Sequence, residues 1–284
     1  MAGANVSLGE EQTGELTRAA RPWIERLARF GYAAKGVVYV LIGSLAAYGA
    51  YRGGGDDPAD SRGALTQLVR QPYGRVMLAV VAAGLAAYAL WRLVQALRDT
   101  EDKGTDWKGL AIRFGYGCIG LVYAGLSYSA VRLTLGGDAG KGSDQQSQEW
   151  AATFFAFPLG RWLVGLGGLC VIAFGLWQCY KAFTAKFREK WKRHEMSEGA
   201  RTLATRAGQV GLVARGVVFV LIGVFLIQAA LHARPDEARG LSGALRALEE
   251  QSHGPYVLGA VALGLVVYGL YMFVEARYRR MRID

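Results

Sequence analysis

Long apolar stretches alternate with short polar connections along the whole chain. Residues 254–274 contain no charged side chain, and residues 110–135 contain only Arg113 and Arg132, both near the ends of that stretch. About 20 consecutive apolar residues match the roughly 30 Å hydrocarbon core of a bilayer. The pattern predicts six membrane spans, near residues 29–51, 74–97, 111–135, 158–183, 207–232 and 254–277. We therefore expect an all-α membrane protein.

The connections between the spans alternate in positive charge. The N-terminal tail, the second and fourth connections and the C-terminal tail hold 20 Lys and Arg residues, whereas the other three connections hold 9. Connections rich in Lys and Arg stay on the cytoplasmic side of a membrane. The bias predicts a multi-pass protein of the cytoplasmic (inner) membrane with both termini in the cytoplasm. It also accounts for the net charge of +10 without a nucleic-acid partner.

A related sequence opens the first, third and fifth spans. It reads F-G-Y-A-A-K-G-V-V-Y at residues 30–39, F-G-Y-G-C-I-G-L-V-Y at 114–123 and V-G-L-V-A-R-G-V-V-F at 210–219. The returning spans also match, with Y-A-L-W at 88–91, F-G-L-W at 174–177 and Y-G-L-Y at 268–271. Each repeat is thus one supersecondary unit that needs its neighbours to bury its apolar faces.

The chain accordingly divides into a tail at 1–25 and three units at 26–100, 101–190 and 204–280. Each unit is predicted to contain a span, an outer connection with a short amphipathic helix, and a returning span. Because every unit crosses the membrane twice, the units are parallel repeats related by an axis along the membrane normal. We expect three two-helix hairpins arranged around a pseudo-threefold axis.

These repeated motifs resemble those of the bacterial DUF1206 family, over about residues 26–280. The resemblance implies three tandem two-helix membrane units, and the family has no assigned function. The motif departs from the pattern in the third unit, where Val210 and Leu212 replace the aromatic residues, and in the second unit, where Ile119 replaces the cation.

Small residues recur seven positions apart in each opening span, which places each pair on one helix face. The pairs are Gly36 and Gly43, Gly120 and Ser127, and Gly216 and Gly223. Small residues let membrane helices approach closely and gain packing contacts. We interpret the pairs as helix-packing positions; the alternative is a glycine-lined permeation path.

Two cations occupy equivalent positions within spans, at Lys35 and Arg215, and Glu275 lies at a similar depth in the last span. A charge inside a span costs free energy, about 2.5–3.5 kcal/mol at the centre on insertion scales. These three residues form our candidate intramembrane charged site. One interpretation is that the cations snorkel to the headgroups and form a structural ion pair. The other is a pocket on the cytoplasmic side for an anionic headgroup or solute.

A run of alternating cations and aromatic residues follows the fourth span. Its cations are Lys186, Arg188, Lys190, Lys192 and Arg193. A basic segment at the cytoplasmic leaflet attracts anionic lipids, by about 1 kcal/mol per residue. We predict a membrane-surface segment that contacts anionic lipids; docking of an acidic cytosolic partner is the alternative.

The sequence contains no combination of residues that indicates catalysis, a cofactor or a metal site. Its three histidines lie outside span centres, and G-x-S-x-G, H-E-x-x-H and P-loop motifs are absent. We expect no enzyme activity and a structural, lipid-organising or partner-assembling role, with membrane lipids, a second copy of the chain or another membrane protein as partners. A small channel or transporter for an anionic solute or lipid headgroup, with its path between the hairpins, is the alternative.

Overall fold

The computed structural model describes residues 2–52, 59–98, 104, 106–138 and 140–280, with side chains from Pro22 onward except those of Ile24, Lys190 and Arg193. Within these ranges the backbone forms nine α-helices and no sheet. They are α1 (Ala2–Arg52), α2 (Ser61–Val69), α3 (Gly74–Leu97), α4 (Trp107–Thr134), α5 (Ser143–Phe155), α6 (Gly160–Phe183), α7 (Glu198–His232), α8 (Leu241–Glu249) and α9 (Gly254–Tyr278). Short 3₁₀ segments lie at Lys186–Lys190, Arg193–Glu195 and Pro235–Glu237.

Six of these helices, α1, α3, α4, α6, α7 and α9, are long and apolar enough to cross a membrane. They coincide with the six predicted spans, so the fold prediction is confirmed: the protein is an all-α, multi-pass membrane protein. In α1 the membrane-crossing part is Glu25–Arg52. The short helices α2, α5 and α8 lie in the connections within the three units.

Neighbouring units join through a repeated seam, in which the first helix of one unit packs on the second helix of the preceding unit. Thus α4 packs on α3, α7 packs on α6, and α1 closes the circle against α9. The three hairpins consequently surround a pseudo-threefold axis. We name the two ends of this bundle by their contents: the basic end carries Lys35 and Arg215, and the hairpin end carries α2, α5 and α8.

The small residues of the opening spans lie in these seams. A Cβ added to Gly36 would lie 2.8 Å from the carbonyl oxygen of Gly269, and one added to Gly216 would lie 2.8 Å from that of Gly175. At Gly120 the equivalent distance, to the carbonyl oxygen of Ala89, is 3.3 Å. The backbones therefore approach too closely for larger side chains in the α1–α9 and α6–α7 seams.

The second member of each pair lies in the same seam, one level closer to the hairpin end. A Cβ on Gly43 would lie 2.6 Å from the carbonyl oxygen of Ala262, and one on Gly223 would lie 2.6 Å from that of Gly168. Ser127 instead donates a 2.9 Å hydrogen bond to the carbonyl oxygen of Ala82. All six predicted packing positions thus lie where two units meet.

The contacts within each hairpin break the threefold repetition. In the first unit, a Cβ on Gly31 would lie 2.6 Å from the backbone nitrogen of Tyr88, and in the third unit one on Gly211 would lie 2.6 Å from the Cα of Tyr268. At Gly115, the equivalent glycine of the middle unit, an added Cβ would meet nothing within 4 Å. Along their described lengths α4 and α6 make almost no contact. The middle hairpin is therefore open, whereas the repeat predicts three equivalent hairpins.

The sequence supplies a physical reason for this opening. In the first unit a Cβ added to Gly84 would lie only 2.4 Å from the Cβ of Ala34, and the third unit repeats this close approach between Gly264 and Ala214. The equivalent residues of the middle unit are Cys118 and Cys170, both exposed. Two cysteine side chains do not fit where glycine meets alanine, so α4 and α6 cannot approach as closely.

The hairpin end is held together by two aspartates at the N-termini of the short helices. Asp60, which is 1% exposed, accepts hydrogen bonds from the backbone of α2 and a 2.6 Å bond from the amide of Ser143 at the start of α5. Asp144 accepts from the amides of Gly240 and Gly243 in the third unit, at 2.7 and 2.9 Å. Side-chain oxygens of this kind satisfy the free amides of a helix N-terminus. The apolar residues of α2 and α8, including Leu65 and Leu245, face protein and are buried.

Candidate functional site

A cavity of about 110 Å³ lies inside the basic end of the bundle. Residues of all six spans line it, because the axis of the bundle passes through this region. Its lining includes all three residues of the predicted intramembrane site, Lys35, Arg215 and Glu275. It also includes three cations that sequence reasoning did not assign to the site, Arg92, Lys181 and Arg279. We call it the cationic cavity.

Lys35 extends from α1 into a cage of four tyrosine rings. Its Nζ lies 5.0, 5.5, 5.6 and 5.8 Å from the ring centroids of Tyr88, Tyr268, Tyr123 and Tyr39. It also donates a 3.2 Å hydrogen bond to the hydroxyl of Tyr88. The faces of aromatic rings attract cations. Because only 3% of Lys35 is exposed, the side chain does not snorkel to the membrane surface.

Arg215 enters the cavity from α7 and is bound by neutral groups. Its Nε donates to the hydroxyl of Tyr39 at 3.0 Å, and its Nη1 donates to Gln178 Oε1 at 2.9 Å and to the hydroxyl of Tyr268 at 3.1 Å. The ring of Phe219 lies 4.9 Å from the guanidinium carbon. Tyr39 and Tyr268 thus contact both Arg215 and the Lys35 ammonium.

Arg92 is a further cation of the cavity and lies on α3. Its Nε and Nη2 donate to the Tyr88 hydroxyl at 2.9 and 2.7 Å, and its Nη1 donates to Gln95 Oε1 at 2.9 Å. Tyr88 therefore accepts from both Arg92 and Lys35. Sequence reasoning gave Arg92 no role in the site. Its alignment with Gln178, the partner of Arg215, is the signal that could have identified it.

Glu275 does not neutralise these three cations. Its Oε1 accepts from Trp191 Nε1 and from the hydroxyl of Tyr271, each at 2.6 Å, and its Oε2 pairs with Arg279 at 2.5 Å. Glu275 and Arg215 were expected at a similar depth, and both line the cavity. The ion pair of Glu275, however, is with Arg279, which lies four residues after it.

The cavity consequently has a large excess of positive charge. Across the described part of the chain, no ion pair involves Lys35, Arg92 or Arg215. Buried charges without opposite partners are costly, because each has lost several kcal/mol of hydration. Tyrosine hydroxyls and amide oxygens accept hydrogen bonds from the cations, but these neutral groups carry no negative charge to balance them. An anion in this cavity would offset that cost.

Two buried hydrogen-bond donors also favour an anion in the cavity. The amide nitrogen Nε2 of Gln178 and the hydroxyl of Tyr32 have no hydrogen-bond partner among the described residues, although both line the cavity. Gln178 is 2% exposed and Tyr32 is 1% exposed. A buried polar group without a partner costs about 1–3 kcal/mol. Since Arg215 occupies the oxygen of Gln178, the remaining amide group is oriented as a donor.

The aromatic residues of the basic segment after α6 are buried. Phe187 and Trp191 are 1% and 0% exposed, and their rings pack on each other and on Tyr271. They lie inside the basic end, where Trp191 Nε1 donates a hydrogen bond to Glu275. The aromatic residues therefore do not lie in the membrane interface.

The cations of this segment are distributed differently. Lys186 is exposed and Arg188 is partly buried, while Lys192 lies 3.7 Å from Glu25 and 3.6 Å from Glu195. The side chains of Lys190 and Arg193 lie outside the described residues. Contact of this segment with anionic lipids stays a prediction.

The fold and the cavity define a class of protein: a multi-pass membrane protein of three tandem two-helix repeats around a cationic cavity. The chain belongs to the DUF1206 family, described as a domain of unknown function, whose model matches residues 30–99, 114–185 and 210–279, once in each repeat. This confirms the family expected from the repeated motifs. A Bacillus subtilis (strain 168) protein named uncharacterized protein YxxB is 36% identical over 277 residues, which cover 97% of this chain and 98% of that protein. No solved structure matches the chain.

Proposed function

We propose that this protein binds an anionic, phosphate-bearing group in its cationic cavity and thereby has a lipid-organising, non-enzymatic role in the bacterial cytoplasmic membrane. The observation that carries the proposal is the convergence of Lys35, Arg92 and Arg215 on one buried cavity with no carboxylate partner. Guanidinium groups are suited to phosphate, because their planar donors match its oxygens. The cavity of about 110 Å³ has room for a group of this size.

The charge distribution supports an orientation for the molecule. In the sequence the tails and the second and fourth connections hold 20 Lys and Arg residues, and the spans that adjoin them meet these segments at the basic end. With the positive-inside bias, this end faces the cytoplasm and both termini are cytoplasmic. The cationic cavity then opens at the depth of the cytoplasmic leaflet, where anionic lipids create a negative surface potential.

A channel or transporter for an anionic solute or lipid headgroup is the second candidate. The cavity itself is compatible with transport, because it lies on the bundle axis between the hairpins. The hydrogen bonds of Asp60 and Asp144 favour static binding, since they join the units at the opposite end. Flux of radiolabelled phosphate into proteoliposomes, above that of protein-free vesicles, would favour transport.

Thermal unfolding of the purified full-length protein in a neutral detergent tests the binding role. Inorganic phosphate should raise the Tm of the wild-type protein, whereas equal ionic strength from sodium chloride should raise it less. Arg215→Gln should reduce the phosphate effect, and Lys35→Met should do the same. Arg246→Gln removes an exposed cation of α8 and serves as the control. An unchanged phosphate effect in both cavity variants would contradict the proposal.

A further inference from the structure

The cationic cavity has one wall that differs from the others. The residues that line it from α1 and α9 are buried, with Tyr32 at 1%, Lys35 at 3% and Tyr268 at 2% exposure. On the opposite wall Trp177 of α6 is 52% exposed, and Tyr116 of α4 is partly exposed. The mouth of the cavity therefore lies between α4 and α6, on the side of the bundle that faces the bilayer.

This mouth exists because the middle hairpin is open. A Cβ added to Gly115 would have no neighbouring atom within 4 Å, and the same holds for a Cβ added to Gly167 on α6. Cys118 and Cys170, exposed on the two helices, occupy the positions at which the other hairpins make their closest contact. Only 22% of the most apolar stretch of α4 and of α6 is buried, against 50% in α1 and α3. The two helices therefore present apolar surface along the gap.

An apolar path continues from the mouth toward the hairpin end. Ile119 lines the cationic cavity. Val122 and Leu126 form the apolar side of a second cavity of about 390 Å³ between α2, α4 and α5, whose hairpin-end wall is polar. The spacing of three and four residues places these side chains on one face of α4. At 1.5 Å per residue the stripe from Ile119 to Leu126 is about 10 Å long. The cationic cavity thus lies at one end of an apolar stripe on α4 that runs toward the hairpin end.

We infer that the ligand of the cationic cavity is an anionic phospholipid, which enters sideways from the bilayer between α4 and α6. Its headgroup phosphate lies among Lys35, Arg92 and Arg215, with Gln178 Nε2 and the Tyr32 hydroxyl as additional donors. Its acyl chains lie along the stripe on α4. The inference rests on the proposed anion-binding role and names the source of the anion.

Charge complementarity favours a lipid over a second copy of the chain as the occupant of the gap. The acidic residues of the six spans are Glu25, Glu198 and Glu275. The first two lie at helix ends, and Glu275 is already bonded to Arg279, Trp191 and Tyr271. The spans of another copy would therefore bring no anion to the cavity. A phospholipid supplies the anion and the apolar chains in one molecule.

Native mass spectrometry of the full-length protein, released from nanodiscs of phosphatidylglycerol and phosphatidylcholine, tests the inference. The wild-type protein should retain one phosphatidylglycerol per chain in preference to phosphatidylcholine. Gly115→Trp, which fills the gap without meeting another residue near its Cβ, should reduce this retention at least tenfold. Gly259→Trp is the matched control, because Gly259 also has free space but lies on α9, away from the gap. It should retain lipid as the wild type does.

Thiol labelling gives a second measurement that does not depend on the tryptophan variants. Phosphatidylglycerol should slow the reaction of Cys118 and Cys170 with N-ethylmaleimide relative to phosphatidylcholine. Cys179 lies against Gly216 in the seam between α6 and α7 and should show no such lipid dependence. Equal labelling of Cys118 and Cys170 in both lipids would overturn the inference.

The outcomes separate this inference from the proposed function. If Gly115→Trp still retains phosphatidylglycerol, the sideways route is wrong. If phosphate raises the Tm but no lipid is retained, the cavity binds a soluble anion and the lipid inference fails alone. If neither phosphate nor lipid binds, the proposed function fails as well. A wild-type mass that corresponds to a lipid-free dimer would assign the gap to a second copy and overturn the inference.

Discussion

At the scale of single residues, Lys35 is held by ring faces instead of by a carboxylate. Removing an ammonium from water costs several kcal/mol, and a desolvated cation–π contact returns about 2 kcal/mol. Four tyrosine rings surround the Lys35 ammonium, so their contacts offset much of its dehydration. A carboxylate would also have cancelled the charge. The cage holds Lys35 next to Arg92 and Arg215 without bringing a negative charge into the cavity.

Replacing Lys35 by methionine should stabilise the protein in the absence of an anion. Methionine has a similar volume, and its introduction removes a buried charge that is repelled by Arg92 and Arg215. Replacing buried ions by apolar residues of similar volume often stabilises by about 1–4 kcal/mol. Thermal unfolding in phosphate-free neutral detergent measures the change, with Lys186→Met, at an exposed cation, as the control. A lower Tm for Lys35→Met would indicate that Lys35 has a structural role.

Glu275→Gln should have the opposite effect. The amide oxygen can still accept from Trp191 and Tyr271, but the charge that pairs with Arg279 is lost. Breaking a buried pair costs about 3–5 kcal/mol, so the Tm should fall, and a second change of Arg279→Met should recover part of the loss. Glu149→Gln breaks the exposed pair with Lys141 and should change the Tm little. Equal effects of the two glutamine variants would contradict this assignment.

At the scale of elements, the same helix pair is built in two ways. In the first and third hairpins a glycine on the opening helix contacts the backbone of an aromatic residue on the returning helix. In the middle hairpin the equivalent helices α4 and α6 stand apart, although the seams that join them to their neighbours are retained. The seams therefore hold the bundle together, while the hairpin contacts determine where it opens.

Alanine substitution of the three equivalent glycines should separate these two arrangements. Gly31→Ala and Gly211→Ala each place a methyl group 2.6 Å from the backbone of Tyr88 or Tyr268, and overpacking of this kind costs about 1–3 kcal/mol. Gly115→Ala meets nothing and should leave the stability unchanged. Thermal unfolding of the three variants in one detergent is the measurement. A comparable loss at Gly115 would show that the middle hairpin is closed in solution.

At the scale of the whole molecule, a threefold frame carries a site that is not threefold. Sequence periodicity was sufficient to predict the six spans, the three units and the small residues of the seams, because each depends on local spacing. The proximity of Lys35 and Arg215 followed from their equivalent positions in two repeats. These features are properties of the repeat and need no knowledge of long-range contacts.

Other features of the site depend on contacts between distant helices. The tyrosine cage draws Tyr39, Tyr88, Tyr123 and Tyr268 from four helices. The repeat relates Tyr39 to Tyr123 and Tyr88 to Tyr268, but it does not predict that the four rings surround Lys35. The pairing of Glu275 with Arg279 depends on the exact position of the chain after α9. The opening between α4 and α6 follows from the bulk of two cysteines that, in sequence alone, resemble ordinary small apolar residues.

The tyrosine cage also has a consequence for the order in which the chain is made. Lys35 leaves the ribosome within the first span, whereas Tyr268, one wall of its cage, belongs to the last. The seam between α1 and α9 likewise joins the earliest and the latest membrane helices. During synthesis the first span is therefore made before the rings of Tyr88, Tyr123 and Tyr268, which surround its lysine in the folded protein. The surroundings of Lys35 are therefore complete only when the whole chain has been made.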